Sequence, residues 1–167
     1  MKMLVTGGAR SGKSRYAIQC AEGLARERIY LATAEALDSE MAERIAAHRR
    51  ARGPGWKTIE EPLEIAARLS QPLPVVVDCL TLWVSNLLMR HGIDAEFDAV
   101  FVEFVAAFRA AENPVIVVTN EVGQGIVPDN RLARRFRDVA GQLAQRVAAA
   151  ADRVVLLVAG IPLSIKS

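Results

Sequence analysis

The chain has 167 residues, 51% of them hydrophobic and 24% charged, with a formal net charge of +2. Such a length and apolar share fit one domain, 1–167, around one core, and so small a positive excess does not argue for nucleic acid as the main partner, so none is expected. No apolar run reaches the ~20 residues of a membrane span. The apolar start is short and runs straight into a glycine loop, unlike a leader. The expectation is a cytoplasmic chain with no stable membrane insertion. The two cysteines, Cys20 and Cys79, lack CxxC or zinc spacing and read as reduced thiols.

The first apolar run, 3–6, reads as a buried strand. It leads into Gly7-Gly8-Ala9-Arg10-Ser11-Gly12-Lys13-Ser14. This octet fits G-x-x-x-x-G-K-[ST], and a helical pattern over 13–25 completes the strand–loop–helix context that the motif requires. Glycines let backbone N–H groups turn inward around phosphate oxygens. Lys13 adds charge at the β- and γ-phosphates, and Ser14 offers a hydroxyl to Mg2+. The motif marks a nucleotide site without naming the reaction.

A second strand is expected over 28–32 and a helix over 39–52. On that helix Arg44, His48 and Arg52 are spaced i, i+4, i+8 and share one face. Like charge disfavours the imidazolium. Neutral imidazole is a nucleophile, and arginines clamp phosphate, so the group suits attack on phosphorus. The same spacing also suits a solvated basic face, and the stretch alone does not decide between the two. Trp56 is either a wall for a nucleotide or core. A short amphipathic helix is expected over 62–69.

The third strand, 74–78, ends in Asp78, where P-loop proteins keep an acid that helps to hold Mg2+. The other reading of Asp78 is a cap for the helix over 80–89, whose first turn carries Thr81. His91, before Gly92, reads as a helix C-terminal residue. A helix over 96–111 and a strand over 114–119 follow. After that strand a switch GTPase would carry N-K-x-D; here the residues are Asn120-Glu121-Val122-Gly123, which argues against that class. The polar loop 119–130 lies where ligands bind. Asn130 reads as the cap of a helix over 130–150, whose Arg131, Arg134, Arg135 and Arg137 suit an anionic substrate, a subunit interface or solvation. A strand over 153–158 completes an α/β alternation with a mostly parallel sheet, whose ligands bind beyond the strands' carboxyl ends.

Five stretches, in order, are LVTGGARSGKSRYA, YLATAEALDSEMAERIAAHRRARGPGWKTIEEP, VVVDCLTLWVSNLL, VVTNEVGQGIVPDNRLARRFRDVAG and VAGIPLSIK. Together they resemble the bifunctional adenosylcobinamide kinase / adenosylcobinamide-phosphate guanylyltransferase family of cobalamin biosynthesis, over nearly the whole chain. The resemblance implies a RecA-like P-loop NTPase domain, a homotrimer and two reactions. In the first, ATP or GTP phosphorylates adenosylcobinamide. In the second, GTP gives GMP to a histidine, which passes it to adenosylcobinamide phosphate to form adenosylcobinamide-GDP.

Carried onto this chain, the guanylylated histidine falls on His48, with Lys13 the second catalytic residue. The GTP contacts fall on Gly7, Gly8, Ala9, Arg10, Ser11, Gly12, Lys13 and Ser14, on Ala32, Thr33 and Ala34, on Arg49, Arg50, Ala51 and Arg52, on Glu60 and on Asp78. Mg2+ falls to Ser14 and Asp78. The base of the kinase step is one of Glu121, Glu60 and Asp78 by charge. Two positions depart from the pattern: Ala144 stands where the family commonly has asparagine, and Asp78 where some relatives have glutamate. Two other functions compete. A monofunctional P-loop small-molecule kinase has no use for His48. A non-catalytic RecA-like nucleotide-binding subunit forms no covalent GMP.

Overall fold

The computed structural model describes residues 1–36 and 38–167; the side chains of Glu40, Arg44, His48 and Ala51 lie outside the described set. The strands are β1 (Lys2–Gly7), β2 (Arg28–Ala32), β3 (Trp56–Glu60), β4 (Val75–Asp78), β5 (Val115–Val118), β6 (Arg153–Val158) and β7 (Ile161–Lys166). The helices are α1 (Lys13–Glu22), α2 (Ser39–Ala51), α3 (Leu80–His91), α4 (Asp98–Ala110) and α5 (Arg131–Ala150). The strands form one sheet in the order β3-β2-β4-β5-β1-β6-β7. All neighbours are parallel except β6 and β7, which are antiparallel. This is the α/β, mostly parallel P-loop architecture expected from the alternating pattern.

The central strands are apolar without interruption because both faces of the sheet are covered. Val75, Val76 and Val77 are all fully buried, yet alternate residues serve different cores. Val75 and Val77 face α3, α4 and α5, where Trp83 packs against Phe104 at a centroid distance of 5.0 Å. Val76 faces α1 with Met3, Val5, Ala17, Tyr30 and Ile116. Each large apolar side chain so buried contributes about 1.5–3 kcal/mol. Among the described residues, no helix is long and apolar enough to cross a membrane.

Two strands add to the five expected from the sequence. β3 is an edge strand whose residues are half-buried or exposed, so its Lys57 and Glu60 broke the apolar pattern. β7 is the opposite edge, exposed along its whole length. It is joined to β6 by Ala159 (φ 51°) and Gly160 (φ 85°). Positive φ at both central residues is the type I′ geometry that matches strand twist in a two-residue hairpin. The amphipathic segment 62–69 is helical only as a 3-10 turn over Ile65–Arg68.

Candidate nucleotide and phosphoryl-transfer cleft

A cleft of about 820 Å³ opens beyond the carboxyl ends of β1, β2 and β4. Its floor is the 7–14 loop. Gly7 has φ +150°, and a Cβ there would lie 2.5 Å from the Leu157 carbonyl oxygen on β6. Gly12, the residue before α1, has φ +96°. The two glycines of the motif are therefore required by backbone geometry and close approach. The Ser11 N–H donates to the Gly8 carbonyl at 3.2 Å, and the Gly160 N–H donates to the Ser11 carbonyl at 3.0 Å. The hairpin turn thus buttresses the loop.

The Lys13 ammonium, on the first residue of α1, donates to the Gly8 carbonyl at 2.6 Å and reaches Ser11 Oγ at 3.5 Å. Burial pushes its pKa below the usual lysine value, opposed by Cys79 and Asp78 nearby. Ala9, Arg10, Ser11, Gly12, Lys13 and Ser14 all line the cleft. Gly7 and Gly8 are not among the lining residues; they shape the loop from behind.

Asp78 lines the opposite side. The Tyr30 hydroxyl donates to its Oδ2 at 2.7 Å. Burial, then the adjacent Asp78, pushes the Tyr30 pKa far above its usual range. Next to Asp78, burial and the aspartate charge push the Cys79 thiol up to about 11. Ser14 and Asp78 bring a hydroxyl and a carboxylate to one cleft, a hard oxygen donor pair suited to Mg2+, which fills its other positions with water and nucleotide phosphate.

The third wall is α2. The Asp38 carboxylate caps it, accepting from the Met41 N–H at 2.7 Å. Met41, Ile45, Arg49 and Arg52 line the cleft. Position 48 is three residues from Ile45 and four from Arg52, the spacings that share a helical face. The His48 and Ala51 side chains, both expected at the site, lie outside the described residues. Arg50 is exposed and absent from the lining. Arg52, just past α2, stacks its guanidinium 3.7 Å from the centre of the Tyr30 ring and donates to Thr58 Oγ1 at 3.0 Å.

The other expected residues separate. Ala32, Ala34 and Glu60 line the cleft. Thr33 is fully buried; its Oγ1 donates to the Cys79 carbonyl and accepts the Cys79 N–H, both at 2.8 Å, which staples β2 to β4. Of the candidate bases, Glu60 and Asp78 face the cleft, whereas Glu121 accepts from the Gly123 N–H at 2.7 Å within its own loop. Thr81 is buried and accepts from the Asn120 amide at 3.0 Å. Trp56 packs edge-on against Tyr30 at 6.1 Å, away from the cleft lining, in line with its core reading. Asn130 caps α5, accepting from the Ala133 N–H at 3.1 Å.

The arginines of α5 make contacts within the chain that the sequence did not suggest. Arg134 donates to the Pro128 and Asp129 carbonyls, and Arg137 to those of Gly123, Gly125 and Ile126, so both clamp the preceding loop. Arg131 pairs with Asp94, and Arg135 with Glu96. Asn120 lines the cleft from the 119–130 loop expected there, and sequence reasoning missed Tyr30, Thr58 and the Ala159–Gly160 turn as parts of it. Only the last had a local signal, a glycine between two apolar runs.

Residues 3–165 match the family model for cobinamide kinase / cobinamide phosphate guanyltransferase. Across 99% of its length the chain is 43% identical to the bifunctional adenosylcobalamin biosynthesis protein CobU of Escherichia coli, and the match spans 100% of that relative. It is 44% identical to the CobU of Salmonella typhimurium, again over 100% of the relative, and 42% identical to the CobP of Pseudomonas aeruginosa, over 98%. Two solved structures share the fold alone. A type III secretion ATPase has a TM-score of 0.54 at 11% identity, over 94% of this chain but only 51% of that one. The RadB recombinase has a TM-score of 0.51 at 16% identity, over 92% and 72%.

Proposed function

This chain belongs to the cobinamide kinase / cobinamide phosphate guanyltransferase family, and from that premise we propose that it carries out both reactions in the one cleft. The observation that carries the reading is the convergence of Lys13, Ser14, Asp78, Arg49 and Arg52 on a single space of about 820 Å³. In this reading a triphosphate lies along the loop, with α2 beside it.

In the kinase step the loop N–H groups and Lys13 hold the triphosphate of ATP or GTP. The aminopropanol hydroxyl of adenosylcobinamide attacks the γ-phosphorus, the bond to the β-phosphate oxygen breaks, and the hydroxyl proton passes to a cleft carboxylate, Glu60 or Asp78. In the nucleotidyl step a His48 ring nitrogen attacks the α-phosphorus of GTP. A P–N bond forms, the α–β bridge breaks, and pyrophosphate leaves against Lys13 and the loop. An oxygen of adenosylcobinamide phosphate then attacks the same phosphorus, releasing His48 and forming adenosylcobinamide-GDP. Mg2+, held by Ser14 and Asp78, would neutralise phosphate charge. Arg49 and Arg52 supply cationic hydrogen bonds to phosphate oxygens. The reading includes a cytoplasmic homotrimer without nucleic-acid partners, with 1–167 acting as one domain.

The test is covalent labelling. With Mg2+ and α-labelled GTP the denatured protein is expected to retain an acid-labile, base-stable label. With γ-labelled GTP it retains none, and His48→Ala abolishes the α label. An unlabelled wild type that still binds GTP would remove the guanylyl-histidine. Full kinase activity in His48→Ala, with no guanylyl transfer by the wild type, would favour the monofunctional kinase. Sedimentation of the intact protein checks the trimer.

A further inference from the structure

Asp78 is the acid assigned above to the metal, and the inference that follows rests on that assignment. One of its oxygens is already held. The Tyr30 hydroxyl donates to Oδ2 at 2.7 Å. The donor comes from a neighbouring strand: β2 and β4 are paired with Ala32 opposite Asp78, which sets Tyr30 behind the carboxylate.

The ring itself cannot turn away. Tyr30 is 4% exposed. The Arg52 guanidinium covers one face at 3.7 Å, and the Trp56 indole meets the ring edge-on at 6.1 Å. Arg52 is fixed in turn by its bond to Thr58 Oγ1 at 3.0 Å. The bond holds one carboxylate oxygen against a packed ring, and no side-chain hydrogen bond among the described residues engages the other.

We propose that Tyr30 is a positioning residue for the metal-facing acid: its hydroxyl locks Asp78 in the orientation that receives Mg2+, and the Arg52 stack locks Tyr30. A tyrosine buried only for packing would serve as well without its hydroxyl. An outer-sphere partner of a metal ligand would not, because loss of such a partner costs about 10–100-fold in metal affinity or activity.

The experiment titrates Mn2+ into the whole protein at saturating GDP, read by the loss of the free-ion electron paramagnetic resonance signal. Tyr30→Phe removes only the hydroxyl and keeps the ring under Arg52. It is expected to weaken Mn2+ binding about tenfold, with GDP affinity in EDTA unchanged. In turnover, the half-saturating Mg2+ rises by a similar factor while the rate at saturating Mg2+ is retained. Thr58→Val, which removes the acceptor that holds Arg52 over the ring, shifts Mn2+ affinity the same way by a smaller factor and keeps the test open should Tyr30→Phe fold poorly. Wild-type Mn2+ affinity in both variants, beside a weakened Asp78→Asn, would overturn the positioning role and leave Asp78 at the metal. An unchanged Asp78→Asn would overturn the assignment of Asp78, and the inference with it.

Discussion

Gly7 and Gly8 are adjacent, but the structure predicts opposite outcomes for alanine at the two positions. At Gly7 a Cβ would sit 2.5 Å from the Leu157 carbonyl oxygen, a backbone atom of a paired strand, and 2.7 Å from Ser11 Oγ. The hydroxyl can rotate away; the carbonyl cannot move without parting β1 from β6 at the Gly7–Leu157 register. The backbone at Gly7 also has φ +150°, which L residues rarely adopt. Overpacking of this kind costs about 1–3 kcal/mol, and the dihedral strain adds about 1–2 kcal/mol. A loss of about 3 kcal/mol lowers the melting temperature of a domain this size by roughly 6–12 °C. A Cβ at Gly8 meets nothing within 4 Å, so Gly8→Ala is expected to stay within about 0.5 kcal/mol of wild type, as surface substitutions do. Thermal unfolding by circular dichroism measures both, and a fluorescent GDP analogue reports the loop. Gly7→Ala is expected to melt early and bind nucleotide poorly, and Gly8→Ala to do neither. Equal melting temperatures for the two variants would refute the reasoning, because the motif's first glycine would then owe nothing to its approach to β6.

Alkaline pH should destabilise the fold through Cys79. Burial and Asp78 raise the thiol from 9.0 to about 11 in the folded chain, so between those values the unfolded chain releases the proton first. Stability is then complete below about pH 9 and falls as pH rises, by about 1.4 kcal/mol per unit at most; urea unfolding at pH 8 and pH 10 should show the fall in wild type and a reduced fall in Cys79→Ala. Arg52→Ala loses the stack on Tyr30 and the bond to Thr58, so it should cost about 1 kcal/mol and weaken GTP binding by isothermal calorimetry, whereas exposed Arg50→Ala should change stability by under about 0.5 kcal/mol. Arg137→Ala removes the donor to three loop carbonyls and should speed limited proteolysis between 123 and 129 several-fold, with no rescue by Arg137→Lys, whose single ammonium cannot span them.

The parts of the fold that were legible share one physical cause. A strand covered on both faces must be apolar at every position, so β1, β4 and β5 stand out as short runs. The phosphate loop was legible because its glycines answer to steric demands within eight residues, and Asp78 because a charge ending Val75-Val76-Val77 has few other reasons to be there. Edge strands escape this logic. β3 keeps its Lys57 and Glu60 because one side of the sheet ends there, and β7 tolerates Pro162 because a strand at an edge can forgo a ladder donor.

Tyr30 and the α5 arginines show where sequence alone runs out. Tyr30 sits in the buried strand RIYLA and reads as packing; only the register of β2 against β4 brings its hydroxyl to Asp78. Arg134 and Arg137 invited partners with charge, yet they bond to backbone carbonyls of residues 123 to 129, which have no side-chain signature. In both cases a polar group's partner is fixed by tertiary placement. The consequence bears on the cleft directly. The residues that would touch nucleotide are those whose chemistry is local, a loop N–H, an ammonium or a strand-end carboxylate. Residues that aim them come from other elements: Tyr30 from β2 and the 159–160 turn from the β6–β7 hairpin, while Arg52 at the end of α2 both lines the cleft and holds Tyr30. Substitutions in this second set should therefore alter affinity more than the chemistry they support, for the metal at Tyr30 and for nucleotide at the 159–160 turn, a separation that binding in EDTA and turnover at saturating Mg2+ resolve.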